Sequence, residues 1–407
     1  MANPQTPRQR PPDSIVIVGA SLAGVRTAVA LRRNGYEGAV HLVGDEPHWP
    51  PFDRPPLSKQ ILVGSLEPDR TRLRIPDDLE ISVTVDTRAI GLDVEVQRVE
   101  FDDGTEMPWD RLVVATGAAP IVPNGWTLGP RVHVLRTLDD ALRLRQALDG
   151  ARRVAVIGAG FIGCEVASSC RSLGLDVDLI DIAPQPLSPL GPRMGAHVAG
   201  WHADAGVRLH METAVTNIAA TDRGVRVSTT GPESDRDDLE VDVVVIGVGV
   251  RPTTDWLDGS GLVIADGVVC DSSSLAEGGD GLVGAVGDVA RWDHPRYGST
   301  RIEHWTNAGE QAGHVASALL GDPQPFAPVP YFWSDQHGHK LQYVGHAHPD
   351  DDVELLGAET SDGTVAAFHR DGALTAALCI DAPREIPRWT EAVKDAMPIA
   401  DLAVSPR

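Results

Sequence analysis

Residues 14–46 read Ser14-Ile-Val-Ile-Val-Gly19-Ala-Ser21-Leu-Ala23-Gly24, then a run to Asn34-Gly35, then Ala39-Val-His-Leu-Val43 and Gly44-Asp45-Glu46. Ile15–Val18 is a continuous apolar run of the length that suits a buried strand. Gly19 permits a sharp turn after it, and Gly24 lets the following helix lie close to the sheet. Asn34-Gly35 ends that helix, and Ala39–Val43 is a second strand. The helix N-terminus, with N–H groups that have no partner inside the helix, is suited to a pyrophosphate. Asp45 follows Gly24 by roughly 20 residues, the spacing at which an acid reaches a ribose hydroxyl. The stretch therefore predicts a βαβ unit that binds a dinucleotide. Ser21 stands where such turns carry their middle glycine, and its small hydrogen-bonding side chain reads as a tolerated variant.

The pattern returns at Val154-Ala-Val-Ile-Gly158-Ala-Gly160-Phe161-Ile162-Gly163, followed by a helix, a strand Val177–Ile180 and Asp181. All three glycines are present here. An acid at position 181 bonds a ribose 2′-OH and repels a 2′-phosphate, so this unit is expected to prefer NADH over NADPH. Ala183–Leu190 holds no arginine that would take a 2′-phosphate. Two fingerprints in one chain are far more specific than one, and predict a resident and a visiting dinucleotide. Each unit closes on another buried strand that runs into small residues. The first is Arg111–Val114 into Ala115-Thr116-Gly117; the second is Asp242–Ile246 into Gly247-Val248-Gly249. A further strand ends in Gly287-Asp288, where a strand-end aspartate suits a polyol chain such as a flavin's ribityl.

The chain has 407 residues and a formal net charge of −23. That length allows two or three cores, and that charge argues against a nucleic-acid binder, which needs a basic face. No apolar run reaches the roughly 18–20 residues that span a bilayer. Met1–Pro12 is polar and Pro/Arg-rich and reads as a loose tail, so the expected home is cytoplasmic, with no membrane contact. Cys164, Cys170, Cys270 and Cys379 form no CxxC pair, which indicates neither a zinc ribbon nor a redox-active disulfide.

Pro50-Pro51-Phe52-Asp53-Arg54-Pro55-Pro56-Leu57-Ser58-Lys59 has too many prolines for a strand or helix interior. It predicts a rigid loop that aims Arg54 and Lys59 at a cofactor. Ile81–Leu112 alternates apolar and polar residues and reads as a hairpin, turning at Asp102-Asp103-Gly104. Glu303–Leu320 reads as a helix, and Gly321–Pro330 as a linker. Tyr331 to about Arg384 reads as short strands turning at Gly338, Gly345, Gly363 and Gly372, before a short helix near Pro387–Met397. His337, His339, His346 and His348 are expected to be exposed strand histidines, with no metal site. The acidic clusters Asp235–Asp238 and Asp350–Asp352 read as solvated loop tips.

These residues resemble the FAD- and NADH-dependent ferredoxin reductases that serve oxygenase systems. The resemblance covers nearly the whole chain. It rests on Val-Gly-Ala-Ser-Leu-Ala-Gly, Gly-Asp-Glu-Pro, Asp-Arg-Pro-Pro-Leu-Ser-Lys, Ala-Thr-Gly-Ala, Leu-Arg-Thr (135–137), Gly-Ala-Gly-Phe-Ile-Gly-Cys-Glu, Val-Gly-Asp-Val-Ala, Glu-His-Trp and Tyr-Phe-Trp-Ser-Asp-Gln. It implies an α/β fold of two Rossmann-like, glutathione-reductase-like dinucleotide-binding domains plus a C-terminal α+β domain. Residues 13–118 and 248–325 would bind FAD, 119–247 would bind NADH, and 326–407 would cover the flavin. Ala23, Asp45, Lys59, Ala89, Arg136, Asp288 and Trp305 match FAD contacts of the family. Glu46, Glu303 and His304 stand in matching motifs. Glu165 matches the acid that pairs with the loop lysine, so Lys59 and Glu165 are expected to meet and to carry the chemistry. Hydride would pass from NADH to FAD, and single electrons would leave to an acidic iron–sulfur ferredoxin feeding an oxygenase. Arg291, Arg296, Arg301 and Lys340 are candidates for the basic patch such a partner needs. A monomer or weak dimer is expected.

Two other readings share the layout. A disulfide or peroxide reductase needs a cysteine near the flavin, and residues 52–60 have none. A flavoprotein of the apoptosis-inducing-factor type shares the proline–lysine loop but acts by NADH-driven conformational change and partner binding. The compact C-terminal region favours the electron-transfer enzyme.

Overall fold

The computed structural model describes residues 12–76, 78–231, 238–348, 350–360 and 363–402. The tail before Pro12 and Asp235–Asp237 of the acidic cluster lie outside them. The chain forms two compact units, each assembled from three stretches. The first comprises Met1–Phe52, Arg72–Ala119 and Arg251–Pro328; the second comprises Asp53–Thr71, Pro120–Val250 and Val329–Arg407.

The first unit is built on a parallel sheet. Strand β1 (Ser14–Val18) lies between β2 (Ala39–Val43) and the strand Arg111–Val114; Ser82–Thr84 and Val283–Ala285 form the edges. The alternation of strand side chains divides β1 between two cores. Ile15 and Ile17 pack with helix α1 (Leu22–Arg33) and the helix Trp305–Leu319, whereas Val16 and Val18 pack with Val99, Phe101 and Trp292. The 81–112 stretch differs from a single hairpin. Ser82–Thr84 pairs in parallel with β2, and only Ala89–Asp93, Arg98–Phe101 and Glu106–Pro108 form an antiparallel meander. A three-residue strand is too short for its alternation to disclose which sheet it joins.

The second unit repeats the design. Strand β3 (Arg153–Ile157) pairs in parallel with β4 (Asp176–Ile180) and with Val243–Ile246, and helix α2 (Phe161–Ser172) connects β3 to β4. Val154 and Val156 face one core, Ala155 and Ile157 the other. The same unit holds an antiparallel sheet of five strands. It starts at the edge with β5 (Tyr331–Gln336), then His339–Gly345, Ala373–Ile380, Gly363–Arg370 and Asp352–Thr360. Its Leu341, Leu378 and Ile380 join the core that contains Val154 and Val156 of the parallel sheet and Val166 of α2. His337 and Gly338, at φ 50° and 82°, make the two-residue hairpin turn after β5. Gly345 is a strand end, not a turn: a Cβ there would come within 2.3 Å of the Thr375 carbonyl oxygen.

Candidate cofactor and redox site

In the first unit β1 ends at Gly19, whose φ of +116° and closeness to Ala115 (2.2 Å from a built Cβ to its carbonyl oxygen) both require glycine. Ser21 is the N-cap of α1 in extended backbone, φ −95°, ψ −158°, and its hydroxyl makes no cap bond. No acid stands in the first turn. The helix end is thus left with donors and no competing negative charge, which fits a phosphate-bearing dinucleotide. A Cβ on Gly24 would fall 1.9 Å from the Gly19 carbonyl oxygen, so glycine fixes the helix-to-turn contact. Ala23 is buried and stands 3.1 Å from where a Cβ of Gly287 would be.

Other expected flavin contacts in this unit are distributed as follows. Asp45 is exposed, Glu46 half-buried, and Ala89 buried at the head of its strand. Ala115 is buried, Gly117 has φ +64°, and the Thr116 hydroxyl donates to the Thr253 carbonyl at 2.7 Å. Gly287 has φ +76° and donates its N–H to Gln311 Oε1 at 2.9 Å; the Asp288 carbonyl accepts from Arg301. Glu303, also bonded to Arg301, His304 and Trp305 open the helix Trp305–Leu319. Asn307, in the first turn of that helix, is buried, and its Oδ1 has no partner among the described residues. An unused buried acceptor in the first turn of that helix is the kind of atom a bound polar group satisfies.

The second turn has the same backbone. Gly158 (φ +102°) would place a Cβ 2.2 Å from the Gly247 carbonyl oxygen, and Gly163 would place one 1.8 Å from that of Gly158. Gly160, at φ −74° and ψ −175°, caps α2 without a side chain. Asp181 is bound into the turn: Oδ2 accepts from the Ala159 N–H at 2.5 Å and Oδ1 from the Ala183 N–H at 2.7 Å. Ile162 and Val248 are each well exposed, and Ile182 is 75% exposed. Large apolar side chains left open beside a phosphate-binding turn suit the flat faces of a nucleotide. Gly249 has φ +110° and accepts from Ile121 N–H.

Also within the second unit, the proline loop delivers Lys59 to α2. Lys59 Nζ lies 2.8 Å from Glu165 Oε2, with the side chains 12% and 4% exposed. The two expected partners therefore meet, 106 residues apart in sequence. Sequence reading missed the rest of the cluster. Ser58 Oγ donates to the same Oε2, and Ser334 Oγ donates to Oε1 at 2.7 Å. Ser169 Oγ, one helical turn beyond Glu165, donates to the Ser58 carbonyl at 2.6 Å. A buried carboxylate with donors on both oxygens meets the condition under which an ion pair survives burial. Arg54 Nη1 is 3.3 Å from the Arg136 carbonyl, and the Arg136 N–H donates to Asp140, which completes the capping box of the helix Leu138–Leu148 begun by Thr137.

Three of the four cations of the expected basic patch have acidic partners. Arg291 and Arg301 both pair with Asp266, Arg301 also with Glu303, and Lys340 pairs with Asp335. These cations are balanced locally. Two of the four histidines depart from expectation, whereas His346 and His348 are exposed as expected. His337 Nε2 lies 2.9 Å from Nδ1 of the fully buried His202, and His339 stacks on Trp201. Asp351 is no solvated tip; it accepts from Arg370, Thr375 and the His348 N–H. Among the described residues no group of three or more His, Cys, Asp or Glu is placed to hold a metal. All four cysteines are buried, and burial pushes the thiols of Cys170 and Cys379 up to about 12. Such thiols are poor nucleophiles at neutral pH.

Two dinucleotide turns and a buried lysine–glutamate pair define a two-nucleotide oxidoreductase. The chain belongs to the pyridine nucleotide-disulphide oxidoreductase family, whose model matches residues 13–312, and residues 331–404 match the reductase C-terminal model. It is 37% identical to rhodocoxin reductase of Rhodococcus erythropolis over 341 residues, 82% of this chain and 78% of that protein. It is 32% identical to the biphenyl dioxygenase system ferredoxin–NAD(+) reductase component of Paraburkholderia xenovorans (strain LB400), covering 94% of this chain and 93% of that one. The crystal structure of a covalent putidaredoxin reductase–putidaredoxin complex matches with a TM-score of 0.88 at 32% identity, covering 95% and 94% of the two chains. The chain is accordingly a flavoprotein oxidoreductase that uses FAD and NAD(H).

Proposed function

We propose that this chain is an NADH-dependent ferredoxin reductase that passes electrons one at a time to an iron–sulfur protein serving an oxygenase. The observation that supports the reading is the reductase C-terminal region, residues 331–404, whose Ser334 joins the buried Lys59–Glu165 pair on the helix that opens at the second glycine turn. Bound FAD supplies the exchange between a two-electron hydride donor and a one-electron acceptor. The chain's own residues hold and orient. The α1 turn, with Gly287 and Asp288, would hold the flavin nucleotide, and the α2 turn with Asp181 the NADH. Lys59, held by Glu165, would stabilise negative charge that gathers on the reduced cofactor. In this reading residues 13–118 and 248–325 serve FAD, 119–247 serve NADH and 326–407 complete the site. The partner is an acidic ferredoxin, and the enzyme works in the cytoplasm as a monomer or weak dimer.

The test is NADH-driven cytochrome c reduction by the FAD-loaded protein, with and without a panel of ferredoxins. Strong stimulation by one ferredoxin is expected. Slow reoxidation with no stimulation by any of them would overturn the reading in favour of an NADH-responsive signalling flavoprotein.

A further inference from the structure

Glu165 is 3% exposed, and its terminal torsion is a soft one, so the direction of its carboxylate depends on which donors surround it. Oε2 receives Ser58 and Lys59 from the proline loop. Oε1 receives Ser334 from β5, the edge strand of the antiparallel sheet. Ser334 is itself fully buried, and Gln336 Nε2 donates to its oxygen at 3.0 Å. A hydroxyl has one proton. With the amide donating to the oxygen, that proton is directed at Glu165.

The register leaves Ser334 little else to meet. Alternate residues of β5 share a face, and residues 161, 165 and 168 of α2 share another. Phe332 packs edge-on against Phe161 with ring centroids 4.6 Å apart. Past the end of the strand, the His337 N–H donates to Ser168 Oγ at 2.8 Å. Between these two contacts stands Ser334, a hydroxyl in a site whose full burial would otherwise suit alanine or valine.

We propose that Ser334 is a positioning residue: by holding Oε1 it fixes the Glu165 carboxylate, and through it Lys59. On this account the C-terminal sheet sets the charge that assists flavin reduction. The inference rests on the role given to Lys59 above. Without Ser334, Oε1 loses its donor and the carboxylate is held through Oε2 alone, so the Lys59 ammonium is held less firmly in place. The effect belongs to the reductive step, not to NADH binding.

The experiment uses the purified full chain loaded with FAD, as wild type, Ser334→Ala, Lys59→Met and the double variant. Flavin reduction by NADH is followed by anaerobic stopped flow, and the flavin midpoint potential by dye-coupled titration. Ser334→Ala is expected to slow reduction roughly 10-fold with KM for NADH unchanged. The potential is expected to move negative, in the direction Lys59→Met moves it. In the Lys59→Met background Ser334→Ala should add no further slowing, because it acts through the residue already removed. Ser334→Cys, similar in size and a weaker donor, should give an intermediate rate, and it carries the test if the alanine variant does not fold. An equal loss in both backgrounds, or wild-type rate and potential for Ser334→Ala, overturns the proposal while leaving the function intact. A wild-type protein that NADH does not reduce overturns the functional reading, and the proposal with it.

Discussion

The first glycine turn reaches its helix through Ser21 at φ −95°, the second through Gly160 at φ −74°, and in neither does a side chain cap the helix. Both turns start on a glycine at positive φ, pressed against the backbone of the neighbouring strand's end. The backbones are alike; the acids beyond them are not. Asp45 is exposed, whereas both oxygens of Asp181 are bound to N–H groups of the second turn and its flank. The difference suits a resident and a visiting ligand. A resident cofactor orders its own site for as long as it stays. A site that empties at every turnover has to keep its shape unaided, and tying the acid into the turn does that at the cost of two of its acceptor positions.

The strongest way to break this comparison is to add one methyl group to each turn. In Gly19→Ala and Gly158→Ala the new Cβ falls 2.2 Å from a backbone carbonyl oxygen, at a φ that alanine rarely adopts. Neither carbonyl can retreat without moving its strand, so each change should cost several kcal/mol locally, of the order seen for strained special positions. Gly19→Ala is expected to purify without flavin. Gly158→Ala should stay yellow and be reduced by dithionite but hardly by NADH. The opposite pattern, read from flavin absorbance and the two reductants, would exchange the roles of the units.

Acid should separate the units next. In the second unit His202 and His337 share a hydrogen bond that requires one ring nitrogen to be an unprotonated acceptor. Burial, with the neighbouring His337, lowers the His202 pKa to about 3. Burial, with the nearby His339 and Arg171, lowers that of His337 to about 4. Unfolded histidine titrates near 6.5, so below that pH the unfolded chain binds more protons than the folded one. The stability this pair contributes is therefore complete above pH 6.5 and is lost as pH falls toward 4 and then 3. The loss should reach several kcal/mol by pH 4. It is checked by melting the protein across pH 7 to 4. His337→Gln should flatten the profile in that window, and an unchanged slope would remove the pair as its source.

What could be read from sequence is what short-range pattern carries. The glycine spacing and the apolar runs at 15–18 and 154–157 locate both turns, because a buried parallel strand and its phosphate-binding turn are contiguous in the chain. Ser334 was not legible. It is separated from Glu165 by 169 residues, and a serine in a strand has no periodicity of its own. The pairing of Arg291 and Arg301 with Asp266 was hidden for the same reason: local sequence shows charges, but only the fold shows which are neutralised. His337 looked like a strand residue and is a turn residue, since a Gly at 338 fits a hairpin whichever way its neighbour points.

Ser21→Gly is the mildest change and tests the comparison most closely, because it gives the first turn the glycine spacing of the second. Serine at an N-cap stabilises a helix when its oxygen accepts from the first-turn backbone, and replacement by glycine then costs a few tenths of a kcal/mol. Here that bond is not made, and the extended backbone at Ser21 asks nothing that serine cannot supply. The unfolded chain gains a little freedom from glycine, which opposes folding slightly. Melting should therefore shift by no more than about 0.5 kcal/mol in equivalent stability. Flavin affinity, measured by titrating FAD into the stripped protein, reports something separate. A change of less than about threefold would mean that backbone N–H groups alone serve the pyrophosphate in both turns. A loss of tenfold or more would mean that the Ser21 hydroxyl is itself a ligand. In that case the first turn is a specialised flavin site and not a tolerated variant of the second.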